Sequence, residues 1–242
     1  MAKFYLRKKI GDRVVNGHPW VFANELGDSE GEYKAGDIVD VHSSNGTYIG
    51  SGYINPSSLI RIRILTRNKQ EPINEEFFYN KLLAAWEYRK QLGYVENCRL
   101  IFGEADGMPA LIIDKFNDYF VIQSMALGID LWKQAIVDAL QKIFNPKGIY
   151  ERNDVPVREL EGLQQIKGFL SEPFDTNIII NENGLQFHVD IANGQKTGYF
   201  LDQQDNRRAI ANIVKGASVL EAFCYTGTFS VHAAHYGAKK VL

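Results

Sequence analysis

Between Val219 and Ser230 the chain reads as an apolar strand closing on the acid Glu221, then a turn through Phe223, Tyr225, Thr226 and Gly227, then the start of a helix. Gly227 has no Cβ, so a ligand can approach its backbone, and the free amides of a helix N-terminus favour an anionic group such as a carboxylate. A dinucleotide site needs three glycines at fixed spacing to admit a pyrophosphate, and this turn has one, which argues against hydride transfer. An acid-ended strand with a glycine-poor turn suits adenosine cofactors that carry an amino acid, because no diphosphate has to be wrapped. An ordinary βα corner would use the same residues.

Just upstream, Asn193 to Arg208 is unusually polar and holds Gln195, Lys196, Asp202, Gln203, Asp205, Arg207 and Arg208 around Tyr199 and Phe200. It reads either as one wall of a ligand site or as a solvated loop and helix cap. The two cysteines, Cys98 and Cys224, are far apart and match neither a disulfide framework nor a zinc spacing, so they read as free thiols and no metal is expected. Cys224, inside the turn, is expected to be packed.

A net charge of -2 does not announce a nucleic-acid partner, but the charge is unevenly distributed. Lys3, Arg7, Lys8, Lys9 and Arg13 stand against Asp12 alone, and Arg61, Arg63, Arg67 and Lys69 form a second basic stretch. Ile60, Ile62 and Ile64 alternate with Arg61 and Arg63, so a period of two sends the isoleucines inward and the arginines to solvent. That face is either merely solvated or a phosphate-contacting edge for RNA.

The elements that must position these residues fall into three blocks. Residues 1–70 are β-rich, with strands at Ile38 to Val41, Tyr48 to Tyr53 and Leu59 to Leu65 and a turn at Asn45-Gly46, and fit a small barrel. Residues 74–191 read as a central α/β unit. Asn74 caps a helix running to about Gly93, strands follow at Ala110 to Ile113 and Tyr119 to Gln123, and a helix spans Ile129 to Phe144. The strands Asn177 to Glu182 and Leu185 to Ile191, joined at Asn183-Gly184, complete the unit. From residue 192 a helix over Gln203 to Val214 precedes the strand, turn and helix of Ala217 to Tyr236. The overall expectation is a multi-domain α/β protein.

Composition agrees: 45% apolar and 23% charged residues over 242 positions are globular values, with no run of the roughly 20 apolar residues a membrane helix needs. The basic N-terminus lacks the apolar core of a secretory signal, so the expected location is cytoplasmic.

Taken together, Gly17-His18-Pro19-Trp20-Val21-Phe22, the stretch from Asn193 to Arg208 and the turn after Glu221 resemble the large-subunit ribosomal RNA cytosine-C5 methyltransferases. In that family a PUA barrel precedes a small α/β domain and a Rossmann-like class I methyltransferase domain. The resemblance implies RNA, and ribosomal RNA in particular, as the partner and S-adenosyl-L-methionine as the cofactor; a homodimer is compatible with it. It assigns Lys196, Phe200, Asp202, Gln203 and Arg207 to the cofactor and target-base side of the site. Phe223, Tyr225, Thr226 and Gly227 would lie under the methionine moiety, with Glu221 at the base of the turn. Arg61 and Arg63 are the expected RNA contacts. Gln204 departs from the family's arginine. A cysteine thiolate that adds to C6 of cytosine and makes C5 able to attack the sulfonium methyl is implied too. No motif supplies it here, so it is expected beyond Leu242, and residues 192–242 read as the opening of a longer catalytic domain. A non-catalytic RNA-binding module is the competing expectation.

Overall fold

The computed structural model describes residues 1–8 and 12–242; Lys9, one of the N-terminal basic residues, lies outside the described residues. The N-terminal block is a six-stranded sheet built from β1 (Lys3–Leu6), β2 (Trp20–Phe22), β3 (Leu26–Glu30), β4 (Ile38–His42), β5 (Tyr48–Ile54) and β6 (Ile60–Thr66), with a short helix α1 (Asp12–Val15). Its strand order is β2-β6-β5-β4-β1-β3. All neighbours are antiparallel except the parallel pair β1 and β4. Phe4, Leu6, Val21, Val39, Val41, Ile54, Ile62 and Ile64 fill its core. The expected strands at Ile38, Tyr48 and Leu59 are therefore present, while β1, β2 and β3 are too short and polar to stand out. In the β4–β5 connection Gly46 is left-handed, but the loop is wider than a two-residue turn and is closed by the Ser43 amide donating to the Thr47 carbonyl at 2.8 Å.

Strand β6 corrects the expectation of solvent-facing arginines. Ile62 and Ile64 do enter the barrel core, while Ile60 is half-buried, but the opposite face, which carries Arg63 and Leu65, packs on the next domain. Leu65 and Tyr53 join the core of the central unit, where the Tyr53 hydroxyl donates to the Pro109 carbonyl at 2.8 Å. Arg63 is buried, and its Nη2 donates to Glu161 Oε1 at 2.8 Å. Arg61 is half-buried, held by the Pro56 carbonyl. Asn55 (2.8 Å) and Ser58 (2.5 Å) also donate to the Glu161 carboxylate. The close approach requires Gly128, where an added Cβ would lie 2.0 Å from the Tyr53 ring.

The central unit comprises α2 (Glu75–Gln91), β7 (Asn97–Phe102), β8 (Leu111–Phe116), β9 (Tyr119–Ser124), α3 (Leu127–Leu131), α4 (Lys133–Phe144), β10 (Gly148–Asn153) and β11 (Ile166–Phe169). As expected, the Asn74 side chain caps α2, accepting from the Phe77 amide at 2.9 Å. The single helix expected over Ile129 to Phe144 is instead two, broken at Trp132, whose ring packs on Phe78. The sheet order is β11-β10-β9-β8-β7, and β9 and β10 are parallel because α3 and α4 cross between them.

One face of this sheet, with Ile113, Phe120, Ile122 and Ile149, packs on α2 and α4. The other, with Phe116, Val121 and Tyr150, is covered by the hairpin of β12 (Asn177–Glu182) and β13 (Leu185–Asp190). The hairpin expected to complete the central unit does pack on it, as a separate two-stranded sheet. Its turn has both Asn183 and Gly184 at positive φ, as that dipeptide favours. The helix expected from Gln203 is split into α5 (Gln204–Ala209) and α6 (Ala211–Val214), after which β14 (Ser218–Val219), α7 (Thr228–His235) and β15 (Lys240–Val241) make a parallel βαβ unit. Among the described residues no helix is long and apolar enough to cross a membrane.

Burial alone would raise the Glu161 carboxyl, but the hydrogen bond and charge of Arg63, with Ser58 and Asn55, outweigh burial and hold it below its ordinary 4.5. A lowered folded pKa means stability that is present above that pH and lost as the pH falls through the folded value. Glu161→Ala should cost roughly 3–5 kcal/mol in denaturant unfolding at neutral pH by stranding Arg63. It should also flatten the acid limb of the stability profile; an unaltered acid limb would show that the pair does not join the domains.

Candidate functional site

The polar stretch forms a loop lying over the hairpin face of the central sheet, and three buried polar groups beneath it set its shape. Arg152 Nη1 donates to the carbonyls of Ile191 (2.8 Å) and Gly194 (3.0 Å). Thr197 Oγ1 donates to Asp114 at 2.6 Å, and Asp114, fully buried on β8, also takes two hydrogen bonds of 2.9 Å from Arg99. Arg207 Nη2 donates to the Phe200 carbonyl at 2.9 Å.

Arg207 departs from its expected place. It does not line the site: it is 1% exposed, pairs in two-pronged fashion with Glu182 at the end of β12, and lies over the Tyr199 ring at 4.7 Å. A guanidinium in so dry a place needs a carboxylate matching its fork, and Glu182 supplies it. His232 of α7 stacks on Phe187 at 5.2 Å beside the same pair. Arg207 thus positions the Phe200 backbone and sits beneath the site. Gln203 bonds its neighbours in sequence instead, Asp202 and Asn206, at 3.0 Å each.

The remaining expected residues converge. The Gln195 amide donates to the Tyr225 hydroxyl at 2.8 Å, and the Phe200 and Tyr225 rings meet edge to face at 5.7 Å. Lys196 is exposed with its ammonium 5.9 Å from the Phe200 ring centre. The polar loop and the turn after Glu221 therefore share one site.

The turn is uncovered from Ala222 to Thr226, and Phe223 is fully exposed. Cys224, expected to be packed, is exposed as well. Before Glu221, β14 pairs with β15, and Leu220 is exposed among the described residues. Glu221 Oε2 accepts from the Ser230 amide at 2.8 Å, securing the first turn of α7.

Lys196 (φ 57°), Phe223 (φ 62°) and Tyr225 (φ 49°) are all left-handed, a conformation that costs a bulky residue about 1–3 kcal/mol. Among the described residues, the other non-glycine positions with positive φ are asparagines and Ala110. Strain of this kind persists where surrounding structure enforces it, and here it concentrates in the two stretches that meet. Gly227 (φ 67°) has open space where a Cβ would point, which leaves its backbone free for a ligand.

A cavity of about 650 Å³ opens between the loop, which contributes Lys196, Phe200 and Asp202, and the central unit, which contributes Tyr88, Arg99 and Phe102. A second, of about 490 Å³, is lined by Ile213, Val214, Val219, Glu221 and Phe229. Glu221 therefore faces the smaller cavity.

Comparison with known proteins finds relatives of both ends of the chain. Residues 4–67 match the family described as a PUA-like domain, and residues 164–242 match that of the S-adenosylmethionine-dependent methyltransferases. A PUA-like domain here precedes a methyltransferase domain.

The whole chain aligns at 39% identity with the ribosomal RNA large subunit methyltransferase I of Aliivibrio fischeri, and 93% of it aligns at 42% identity with that of Shewanella denitrificans. The chain spans 62% and 58% of the lengths of these relatives. It superposes over its full length, covering 62% of the other chain, on a provisionally assigned SAM-dependent methyltransferase from Streptococcus mutans, with a TM-score of 0.80 and 21% identity. A similar match, with a TM-score of 0.82 and 21% identity, is to SMU.776 complexed with SAH. The two solved structures share the overall fold of this chain.

Residues that the motifs did not single out hold the site: Asp114 and Arg152 on the central sheet, Glu182 on the hairpin. Their signal is a charge in an otherwise apolar strand, as in Leu-Ile-Ile-Asp for Asp114. Arg207→Ala should cost roughly 3–5 kcal/mol in thermal or denaturant unfolding, because Glu182 is then buried without a counter-charge; a loss below 1 kcal/mol would mean the pair is not buried as described. The two thiols should also separate chemically. Burial pushes Cys98 up to about 11, so it is protonated at neutral pH, and iodoacetamide should label Cys224 in the folded protein and Cys98 only after unfolding. Equal native labelling rates would contradict this.

Proposed function

We propose that this chain forms part of an S-adenosylmethionine-dependent enzyme that methylates large-subunit ribosomal RNA, with C5 of a cytosine as the acceptor. The observation that carries the reading is the junction of the Lys196 loop with the Tyr225 turn, through the Gln195 amide and the Phe200 ring. Relatives named as large-subunit ribosomal RNA methyltransferases, at 39–42% identity, support the RNA class.

The residues fit such a donor. The exposed turn from Ala222 to Gly227 gives its backbone to the amino-acid end, and Tyr225 and Thr226 flank it. Glu221 holds the turn to α7, and Lys196, Phe200 and Asp202 make the wall towards the acceptor. The donor, when bound, supplies an electrophilic methyl on a sulfonium. For the base to accept it at C5, a thiolate must add at C6 and leave again after the C5 proton is lost. Cys98, buried and protonated, does not suit that role. For RNA, Lys3, Arg7 and Arg67 offer exposed positive charge on the PUA-like domain and Arg61 offers a half-buried one, while Arg63 is committed to Glu161.

Titration calorimetry with S-adenosylhomocysteine is the direct test. The protein should bind it, and Tyr225→Ala should weaken binding about tenfold by removing the hydroxyl that ties the turn to the loop. No heat of binding would remove the methyl-donor reading. Mass spectrometry of ribosomal RNA after incubation with labelled donor tests the finer step: label at 5-methylcytidine is expected, and label at any other position would reject the cytosine C5 assignment alone.

A further inference from the structure

The 650 Å³ cavity does not include the turn from Phe223 to Gly227; it lies on the other side of Phe200, facing the central unit. Its central-unit wall has two large aromatic side chains that are more than half exposed, Tyr88 (54%) on α2 and Phe102 (55%) at the end of β7. Each carries a guanidinium over its ring, Arg89 at 5.4 Å from Tyr88 and Arg99 at 5.4 Å from Phe102. Exposing two such rings in one concave place is costly unless something flat covers them.

The charges say what kind of flat group. Arg89 is paired with Asp106 at 2.6 Å, Arg99 with Asp114 at 2.9 Å and the lining Asp205 with Arg208 at 3.0 Å, which leaves exposed Lys196 balanced by exposed Asp202. A groove following a phosphate backbone would hold unpaired cations. This cleft is close to neutral, so it suits a heterocycle more than a phosphate. The rim has the groups that recognise one: the Gln204 side-chain amide, which can both donate and accept and is unengaged among the described residues, Asn183 reaching only the backbone carbonyl of Gln204, and the Asp202 carboxylate, one oxygen of which accepts from Gln203.

We propose that this cleft receives one unstacked nucleobase of a single-stranded RNA segment, stacked against Phe102 and Tyr88 with its edge at Gln204 and Asp202. The inference rests on the methyl-donor reading above and adds that the acceptor strand is held by the central domain, across Phe200 from the donor turn.

The test is fluorescence anisotropy of the protein with a short fluorescein-labelled oligocytidylate, run beside calorimetry with S-adenosylhomocysteine. Phe102→Ala and Tyr88→Ala should each weaken oligonucleotide binding about tenfold, the loss of one stacking partner, and leave S-adenosylhomocysteine affinity unchanged. Phe102→Trp should retain binding and Phe102→Leu should not, a distinction that apolar bulk alone would not make. Oligonucleotide affinity indifferent to both alanine variants, or absent in the parent protein, would overturn the proposal. So would a selective loss of S-adenosylhomocysteine affinity, because the cleft would then belong to the adenosine of the donor. If S-adenosylhomocysteine fails to bind while the oligonucleotide still depends on Phe102, the cleft assignment stands and the methyl-donor reading falls.

Discussion

A guanidinium almost without solvent has to find a carboxylate of matching shape, and the organisation of the site follows from how Arg207 meets Glu182. Glu182 closes β12 of the hairpin, and Arg207 belongs to α5, beyond the polar loop. Pairing them folds the intervening loop back on the sheet, and the same guanidinium holds the Phe200 carbonyl. Phe229 and His232 of α7 pack around it, so the helix after the turn is seated on the same support. Because isolated burial of either charge is so unfavourable, the loop and the turn have few other ways to sit.

The same logic joins the first two domains. Arg63 and Glu161 are each almost wholly buried, and Asn55 and Ser58 satisfy what the arginine leaves of the carboxylate. Around that polar knot Tyr53 and Leu65 enter the core of the central unit. The PUA-like domain is therefore docked through a mixed apolar and ionic contact, and its surface keeps a defined orientation towards the central sheet.

Much of this was legible from residue types, where a local rule controls the outcome. The Asn74 cap, the Asn183-Gly184 turn, the alternating isoleucines of β6 and the acid-turn-glycine sequence at Glu221 all report conformations decided within a few residues. Where charge and packing part company, a partner from a distant segment decides: Arg63 was expected at solvent and Arg207 in the lining of the site, and both are buried on carboxylates. Strand β10 is the same: Glu151 and Arg152 are buried, and Arg152 reaches the carbonyls of Ile191 and Gly194. Glu151 meets Lys133 at 2.7 Å and Arg63 meets a carboxylate 98 positions away, pairings that no local pattern encodes. Cys224, expected to be packed, is exposed although the Tyr225 beside it is tied to the polar loop.

The hairpin of β12 and β13 has a further consequence for how such a chain can be rearranged over evolutionary time. One of its faces is glued to the central sheet by Ile178, Ile180, Phe187 and Val189, while its tip holds the carboxylate that Arg207 needs. A recombination event that cut the gene after the hairpin would transplant a methyltransferase domain lacking its counter-ion. A cut before it would leave an apolar sheet face bare. The hairpin behaves as a shared keystone: the blocks on either side of it cannot be parted without leaving either a buried charge alone or an apolar sheet face uncovered.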